Sequence, residues 1–345
     1  MRFFRMRILI IKLGAIGDVI RTTCILQGIL EKYKNCSIDW VAKKESFEVL
    51  KNNKLIGKIF FINDYKKILP LKYDLVVSLD DEPEACSLAT SVNSKKIIGA
   101  YLNDSRRVYT KDSSSWFDMG IISRFGLKKA NERKAENKKT YQEIIYKILE
   151  LRYSKQEPVL ILSEKGQDFA KNFAVKNNIS KNDLVIGINT GAGGRWENKK
   201  LSEEKTTQLV GSLNSKLKNA RLILFGGPEE KERNGRIKKM VKTNIIDAGC
   251  SNSLMEFASL VNLCSLIVTS DSLALHVATA LKKNIVAFFC PTSSSEIELY
   301  GRGIKIIPKT GCLCCYKPKC KISPEYDVDE IVWAVSKLLN YRHGH

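Results

Sequence analysis

The stretch that most constrains the fold runs from Ser265 to Thr292. A short apolar run, Leu266 to Thr269, turns through Ser270-Asp271-Ser272 into a helical pattern, and a second apolar run follows from Ile285 to Phe289. This order predicts a strand, a tight turn, a helix and another strand. Asp271 or Ser272 should cap the helix, whose free N–H groups and positive dipole end suit the phosphate of a nucleotide-type ligand. The same residues also fit a plain structural cap, with His276 a half-buried side chain one turn into the helix.

Similar alternation occurs along the rest of the chain. Further strands are predicted at Arg7–Lys12, Ser37–Val41, Ile59–Ile62, Tyr73–Leu79, Lys96–Gly99, Leu184–Asn189 and Arg221–Phe225. Strands that alternate with helices predict parallel sheets. Because 345 residues are enough for two cores, we predict an α/β protein with domains at residues 1–180 and 181–326. A final amphipathic helix at 327–340 should pack back on the body, with the first domain as the candidate partner.

Charge and hydropathy limit the classes of partner. The chain has 57 Lys and Arg against 37 Asp and Glu, a net charge of +20, which favours anionic partners or a solvated lysine-rich surface. No zinc-finger spacing, RNP-type aromatic signature or basic arm indicates nucleic acid. No window approaches the roughly 20 apolar residues of a spanning helix, and the start lacks a cleavage site. A cytoplasmic protein without a membrane span is therefore expected.

Ten cysteines are present, and four of them crowd together in C-L-C-C-Y-K-P-K-C as Cys312, Cys314, Cys315 and Cys320. Such a cluster in a chain without a signal peptide favours metal or redox chemistry over structural disulfides. The pattern is not a paired C-x-x-C site, however, and no histidine lies near it. We predict no metal cofactor, with reduced thiols or a labile disulfide here and a structural zinc or iron–sulfur site as the alternative.

The turn after the first strand, L-G-A-I-G-D, contains glycines but lacks the full G-x-G-x-x-G of a dinucleotide site. Asp18 lies in the first turn of the following helix, at the carboxyl end of the strand, where open α/β sheets build their sites. It could also serve only the helix dipole. A polar loop further on, N-D-S-R-R-V-Y-T-K-D, has Arg106 and Arg107, which fit either an anionic ligand or an ordinary surface.

The strand at 184–189 runs into T-G-A-G-G-R-W-E-N-K-K and then a helix. Glycines allow the backbone to approach a ligand, and the basic residues supply charge, so this layout predicts a phosphate site. It is not a Walker A loop, because the G-K-[ST] ending is missing.

Taken together, these motifs resemble glycosyltransferase family 9, the ADP-heptose:lipopolysaccharide heptosyltransferases and their relatives. The resemblance rests on R-I-L-I-I-K-L-G-A-I-G-D-V-I, G-A-G-G-R-W-E-N-K-K-L, F-G-G-P-E-E, S-D-S-L-A-L-H-V-A-T-A-L and F-F-C-P-T, in order from Arg7 to about Pro291. It implies a GT-B fold of two Rossmann-like domains facing across a cleft, with the acceptor on the first domain and the nucleotide-sugar on the second. It also implies metal-independent transfer with inversion.

The resemblance assigns roles to individual residues. Asp18 becomes the general base, and Lys199, with Lys200 beside it, counters the diphosphate charge. The remaining donor contacts that it implies are Thr190 and Gly191 at phosphate, Glu229 at the nucleoside, and Asp271, Ser272 and His276 at the diphosphate. Two departures concern the donor site: Leu273 replaces the usual glycine after Asp-Ser, and Leu201-Ser202 replaces the usual W-P.

These features predict an enzyme that moves a heptose or similar sugar from a nucleotide-diphosphate sugar, with ADP-heptose the first choice. The expected acceptor is an anionic glycolipid of lipopolysaccharide-core type at the inner face of the cytoplasmic membrane. The alternatives are a non-catalytic glycan- or lipid-binding relative and an NAD(P)-type oxidoreductase.

Overall fold

A computed structural model describes residues 6–194, 197–311, 313–317 and 322–340. These residues form two compact units. The first comprises the described residues up to 161 together with 295–298, and the second comprises the others. In the described residues, no helix has both the length and the apolar character needed to cross a membrane.

The elements alternate as the sequence predicts. The strands are β1 Met6–Ile11, β2 Cys36–Ala42, β3 Lys58–Phe61, β4 Lys72–Ser78, β5 Asn93–Asn103, β6 Arg106–Tyr109, β7 Leu184–Asn189, β8 Ala220–Phe225, β9 Ile246–Asp247, β10 Leu266–Ser270, β11 Asn284–Phe288 and β12 Gly303–Ile306. The helices are α1 Ile16–Thr22, α2 Ile25–Lys32, α3 Phe47–Leu50, α4 Tyr65–Ile68, α5 Pro83–Ser91, α6 Ser114–Phe117, α7 Gly126–Glu136, α8 Tyr141–Ile148, α9 Glu164–Lys176, α10 Glu203–Lys216, α11 Lys231–Met240, α12 Leu254–Leu263, α13 Leu273–Ala280 and α14 Val328–Asn340. Short 3₁₀ turns lie at Lys44–Ser46, Lys111–Ser113, Glu197–Lys199 and Pro228–Glu230.

Each unit contains a doubly wound sheet. In the first unit the strand order is β3-β2-β1-β4-β5-β6, and only β6 runs antiparallel to its neighbour. In the second unit the order is β12-β11-β10-β7-β8-β9, with every pair parallel. If β7 is counted as the first strand of its unit, both sheets have the Rossmann-type strand order 3-2-1-4-5-6. The predicted α/β fold of two Rossmann-like domains is confirmed.

The strands are continuous apolar runs because helices cover both faces of a parallel sheet. The central strand of the first unit is fully buried at Ile8, Leu9 and Ile10, and that of the second unit is buried at Ile186 and Ile188. The side chains that these strands leave at their carboxyl ends are therefore held on a rigid base.

The polar segment expected to be a loop around Arg106 and Arg107 is instead a hairpin. Asn103 pairs with Arg106 across a two-residue turn, in which Asp104 and Ser105 have φ values of 47° and 62°. Two central residues with positive φ are the signature of a type I′ turn, whose twist suits antiparallel strands. The strand predicted at 96–99 is present but longer than expected, because β5 extends to the turn and β6 returns beside it.

Two helices change the predicted domain boundaries. Helix α14 packs in the second unit, where Ile331 and Val335 share a core with Leu209 and Leu213 of α10. The idea that this helix packs on the first domain is therefore wrong. Helix α9 also joins the second unit, lying so close to α12 that a Cβ at Gly166 would be 2.7 Å from the Met255 carbonyl oxygen. The first unit thus ends near residue 161 rather than 180.

Candidate functional site

The candidate site residues gather at the two places where the strand order reverses. In the first unit this switch point lies between β1 and β4, and in the second between β7 and β10. At a switch point the adjoining connections leave to opposite sides of the sheet, which opens a crevice at the carboxyl ends of the strands. Asp18 follows β1, Thr190 follows β7 and Asp271 follows β10.

Asp18 lies in the first turn of α1, as expected. Its Oδ1 is 3.0 Å from the Arg21 Nε one turn later, and its side chain is about one-third exposed. The Arg21 guanidinium stacks over the Tyr141 ring at 4.1 Å, which fixes the cation. A carboxylate held in this way keeps a defined orientation while one side remains open to a ligand.

A buried ion pair that the sequence analysis missed supports the same turn. Lys12, at the end of β1, donates to Asp80, which follows β4, and the Asp80 carboxylate also accepts the backbone N–H groups of Leu13 and Gly14. Burial alone lowers the pKa of Lys12, but the negative charges of Asp80 and Asp18 raise it above its usual value. Lys12 is thus a permanent cation whose charge reaches Asp18.

Arg107 and Arg106 project from β6, and both are exposed. Arg107 donates from a guanidinium nitrogen to the Asp81 carbonyl oxygen at 2.7 Å. This contact places Arg107 next to the carboxyl end of β4, beside the Lys12–Asp80 pair. For the Asp81 carboxyl, burial and then the Asp80 charge raise the pKa, and the nearby Arg107 opposes that rise. The predicted contact of the two arginines with an acceptor stays a prediction.

In the second unit, Lys199 and Asp271 form an ion pair. The Lys199 Nζ lies 2.9 Å from Asp271 Oδ2 and 2.7 Å from the Asp271 carbonyl oxygen, and both side chains are largely buried. Two residues that are 72 positions apart in sequence therefore meet at the end of β10. This places the lysine and the aspartate that the resemblance assigns to the diphosphate in one site.

Two further side chains surround the Asp271 carboxylate. The Thr292 hydroxyl donates to Oδ2 at 2.6 Å, and the His276 Nε2 lies 3.9 Å from Oδ1. Burial by itself raises the pKa of Asp271, but Lys199, His276 and the Thr292 hydrogen bond outweigh it and lower the pKa to about 2. Asp271 is thus an anion at neutral pH.

The low pKa of Asp271 predicts how acid affects stability. Because the folded pKa of about 2 lies below the ordinary value of 3.8, the pair stabilises the fold above about pH 4, and this contribution disappears as the pH falls towards 2. Urea unfolding gives the free energy of unfolding of wild type and of Asp271→Asn. We expect the gap between the two values to be about 2 kcal/mol smaller at pH 2 than at pH 6. Asp168→Asn, at an exposed carboxylate, is the control, and an equal difference at both pH values would contradict the prediction.

The expectation that Asp271 or Ser272 caps α13 is met by Ser272, but not through a side-chain hydrogen bond. Ser272 is the N-cap residue but makes no side-chain cap hydrogen bond. Its hydroxyl lies 3.1 Å from that of Thr269, and the Asn189 amide donates to it at 3.3 Å. The Asp271 carboxylate accepts a hydrogen bond from the charged Lys199 ammonium instead of from a backbone N–H of the helix.

The glycine-rich loop after β7 packs closely against two glutamates. A Cβ at Gly191 would lie 2.8 Å from Glu230 Oε2, and one at Gly194 would lie 2.9 Å from Glu229 Oε2. Lys200 pairs with the buried Glu230 at 3.0 Å. Glycine at these positions lets the loop backbone lie directly over the carboxylates. Glu229 is exposed, in keeping with the predicted nucleoside contact, which stays a prediction.

Thr190 is placed differently from the expected phosphate contact. Its hydroxyl is buried, 3.0 Å from the Phe225 carbonyl oxygen and 2.6 Å from the Asn234 Oδ1. These contacts join the ends of β7 and β8, and they indicate a structural role for the hydroxyl.

Four contributing residues were missed by the sequence analysis: Lys12, Asp80, Asn189 and Thr292. A signal existed for the first two, because opposite charges end the apolar runs R-I-L-I-I-K and L-V-V-S-L-D. Asn189 also ends a strand, and its amide holds the Gly191 carbonyl oxygen at 2.8 Å. Thr292 had no local signal, since its partner lies 21 residues earlier.

The cysteine cluster lies partly outside the described residues, because Cys312 and Cys320 are not among them. Cys314 and Cys315 are partly exposed. Within the described part of the chain, no group of three or more His, Cys, Asp or Glu side chains could hold a metal ion. The alternatives for this cluster stay open.

Comparison with known proteins gives consistent matches. Residues 65–325 match the sequence model described as glycosyltransferase family 9 (heptosyltransferase). Lipopolysaccharide heptosyltransferase 1 of Campylobacter coli is 24% identical over 300 residues, covering 84% of this chain and 85% of that protein. A glycosyl transferase family 9 crystal structure from Veillonella parvula superposes with a TM-score of 0.77 at 18% identity, covering 99% of both chains.

A third similar structure is E. coli heptosyltransferase WaaC with ADP, with a TM-score of 0.63 at 16% identity, covering 96% of this chain and all of that one. The structural matches agree with the two doubly wound sheets and with the predicted GT-B class. The family match spans the second switch point and most of the site residues. The chain therefore belongs to glycosyltransferase family 9, the heptosyltransferase family, and is a glycosyltransferase.

Proposed function

We propose that this enzyme transfers a heptose from ADP-heptose to an acceptor of lipopolysaccharide-core type, without a metal and with inversion at the anomeric carbon. The observation that carries the proposal is the buried Lys199–Asp271 pair at the second switch point, beside the start of α13. The name of the Campylobacter coli relative supports the acceptor class, and the ADP in the WaaC structure supports the nucleotide. Family membership favours a transferase over the two alternatives above.

The donor would bind in the second unit through its diphosphate. Lys199 supplies a cation, and the first turn of α13 supplies backbone N–H groups and the positive end of a helix dipole. Asp271 holds the lysine in place before the ligand arrives, and Thr292 and His276 contact the Asp271 carboxylate. A phosphate oxygen would compete with Asp271 for the Lys199 ammonium, so the cation is already present where the leaving charge develops.

The acceptor would bind in the first unit, with its nucleophilic hydroxyl at Asp18. In the transfer step, the hydroxyl oxygen forms a bond to the anomeric carbon while the bond from that carbon to the diphosphate breaks. Asp18 accepts the hydroxyl proton, and ADP leaves with the electron pair, its charge countered by Lys199. Attack opposite to the leaving group inverts the anomeric centre.

Arg106 and Arg107 are the proposed contacts for anionic groups of the acceptor, because both are exposed on β6 and Arg107 reaches the carboxyl end of β4. Guanidinium groups bind phosphate and carboxylate oxygens in pairs of hydrogen bonds. The net charge of +20 also favours a phosphorylated glycolipid. We place the reaction at the inner face of the cytoplasmic membrane.

The test is turnover with ADP-heptose and a water-soluble, deacylated lipopolysaccharide-core glycan. We expect ADP release that requires the acceptor, an inverted linkage in the product by NMR, and an unchanged rate in EDTA. ADP at about 100 times its Kd should raise the stability of the protein by about 2.7 kcal/mol in a thermal-shift assay. Retention at the anomeric centre, or no release of ADP under any of these conditions, would sink the proposal.

A further inference from the structure

The first unit exposes apolar side chains in one short segment. Ile121 is 74% exposed, Phe125 45% and Leu127 60%, all within seven residues that lead into α7. An isolated exposed leucine needs no explanation, but three large apolar side chains this close together favour an interaction surface.

Basic residues are interleaved with these apolar ones. Arg124, Lys128 and Lys129 are exposed, and the sequence contains no acidic residue between Asp118 and Glu132. The Phe125 ring lies near two guanidinium groups, at 5.0 Å from that of Arg124 and 4.2 Å from that of Arg133. A surface that is both apolar and cationic suits the interface of an anionic membrane, which offers acyl chains and phosphate groups together.

The segment is fixed to the hairpin that carries the predicted acceptor arginines. The Arg124 backbone N–H donates to the Tyr109 hydroxyl at 3.1 Å, and that hydroxyl donates to Asp118 at 2.5 Å. Tyr109 is the last residue of β6, on which Arg107 reaches the Asp81 carbonyl oxygen. The buried Ala130 seats α7 on the unit. The segment from Ile121 to Lys129 therefore has a fixed position relative to the residues that follow β4.

We propose that Ile121, Phe125, Leu127, Arg124, Lys128 and Lys129, which we call the docking segment, bind the enzyme to an anionic lipid surface. The apolar side chains enter the acyl boundary, and the cations meet lipid phosphates. This deepens the proposed function, because a glycolipid acceptor lies in such a surface, close to the hairpin with Arg106 and Arg107. A nucleic acid would use the cations but would leave the apolar side chains in water.

The test is co-sedimentation of the whole protein with lipid vesicles and without substrates. Wild type should bind vesicles of phosphatidylglycerol and phosphatidylcholine and bind phosphatidylcholine alone at least about tenfold more weakly. Removing two apolar contacts in Ile121→Ser/Leu127→Ser should weaken binding by about tenfold or more. Lys128→Glu/Lys129→Glu should weaken it similarly, and salt should weaken wild-type binding.

The matched control lies on α9, where Val175 is 77% exposed and is followed by the exposed Lys176. Val175→Ser/Lys176→Glu should bind vesicles as wild type does. All variants should keep wild-type kcat on the soluble glycan, since none of these residues belongs to the active site. Equal binding to neutral and anionic vesicles, or wild-type binding by both docking-segment variants, would overturn the inference. Failure of the proposed function shows separately, as absent turnover on the soluble glycan.

Discussion

Replacing Asp18 with asparagine should lower kcat by about 10³-fold and leave the Kd for ADP within about twofold of wild type. The amide keeps the size of the carboxylate, so its oxygen can occupy the same place, 3.0 Å from the Arg21 Nε. It cannot accept the proton of the acceptor hydroxyl. Steady-state turnover on the soluble glycan and calorimetric titration with ADP measure the two quantities independently.

Glu84→Gln is the matched control for Asp18→Asn. Glu84 is also an acid in the first turn of a helix that follows a central strand, here α5 after β4, and it is half exposed. Its replacement should leave kcat within about twofold of wild type, because exposed ion pairs contribute little. An Asp18→Asn enzyme that retains a tenth or more of wild-type kcat would contradict the assignment of the base.

Sequence reasoning located Asp18 because the signal is local: a glycine-bearing turn, a strand before it and a helix after it. The Lys12–Asp80 pair could not be located in that way, since its partners are 68 residues apart and meet only when β4 is placed beside β1. A lysine at the end of a buried strand looks unfavourable until its partner is known. Strand order, which is a tertiary property, decides that partner.

The difference between local and long-range signals also explains which parts of the fold were predicted. Apolar runs predicted the central strands closely, because burial on both faces leaves a strong pattern. The hairpin of β5 and β6 was missed because Asp104 and Ser105 adopt positive φ without a glycine. Helix α7 was not predicted, since a helix with Ala130 as its buried residue has no apolar stripe to detect.

At the second switch point, local and long-range preferences compete for Asp271. An aspartate just before a helix is a good cap by propensity, worth about 1 kcal/mol. The buried Lys199 ammonium, brought from 72 residues away, is the stronger partner, and Thr292 completes the contact. Sequence therefore singled out both Lys199 and Asp271, which the fold brings together, but it expected Asp271 to serve its own helix as a cap.

The double variant Lys199→Met/Asp271→Asn should fold and should have a kcat lowered by about 10²- to 10³-fold. The single change Lys199→Met leaves a buried carboxylate without its closest cation, and breaking such a pair costs about 3–5 kcal/mol. Changing both residues removes the two charges together, so most of that cost is avoided. Turnover with ADP-heptose and thermal unfolding of the same samples measure the two effects.

Lys309→Met is the control that tests whether the loss of any lysine–aspartate contact lowers kcat. Lys309 pairs with Asp327 at the same 2.9 Å, but the lysine is exposed, so its replacement should leave kcat and stability near wild type. A folded double variant with wild-type kcat would show that Lys199 serves only the turn. A folded double variant with a large loss of kcat assigns the Lys199 charge to the departing diphosphate, because the structural role of the pair has then been removed from the comparison.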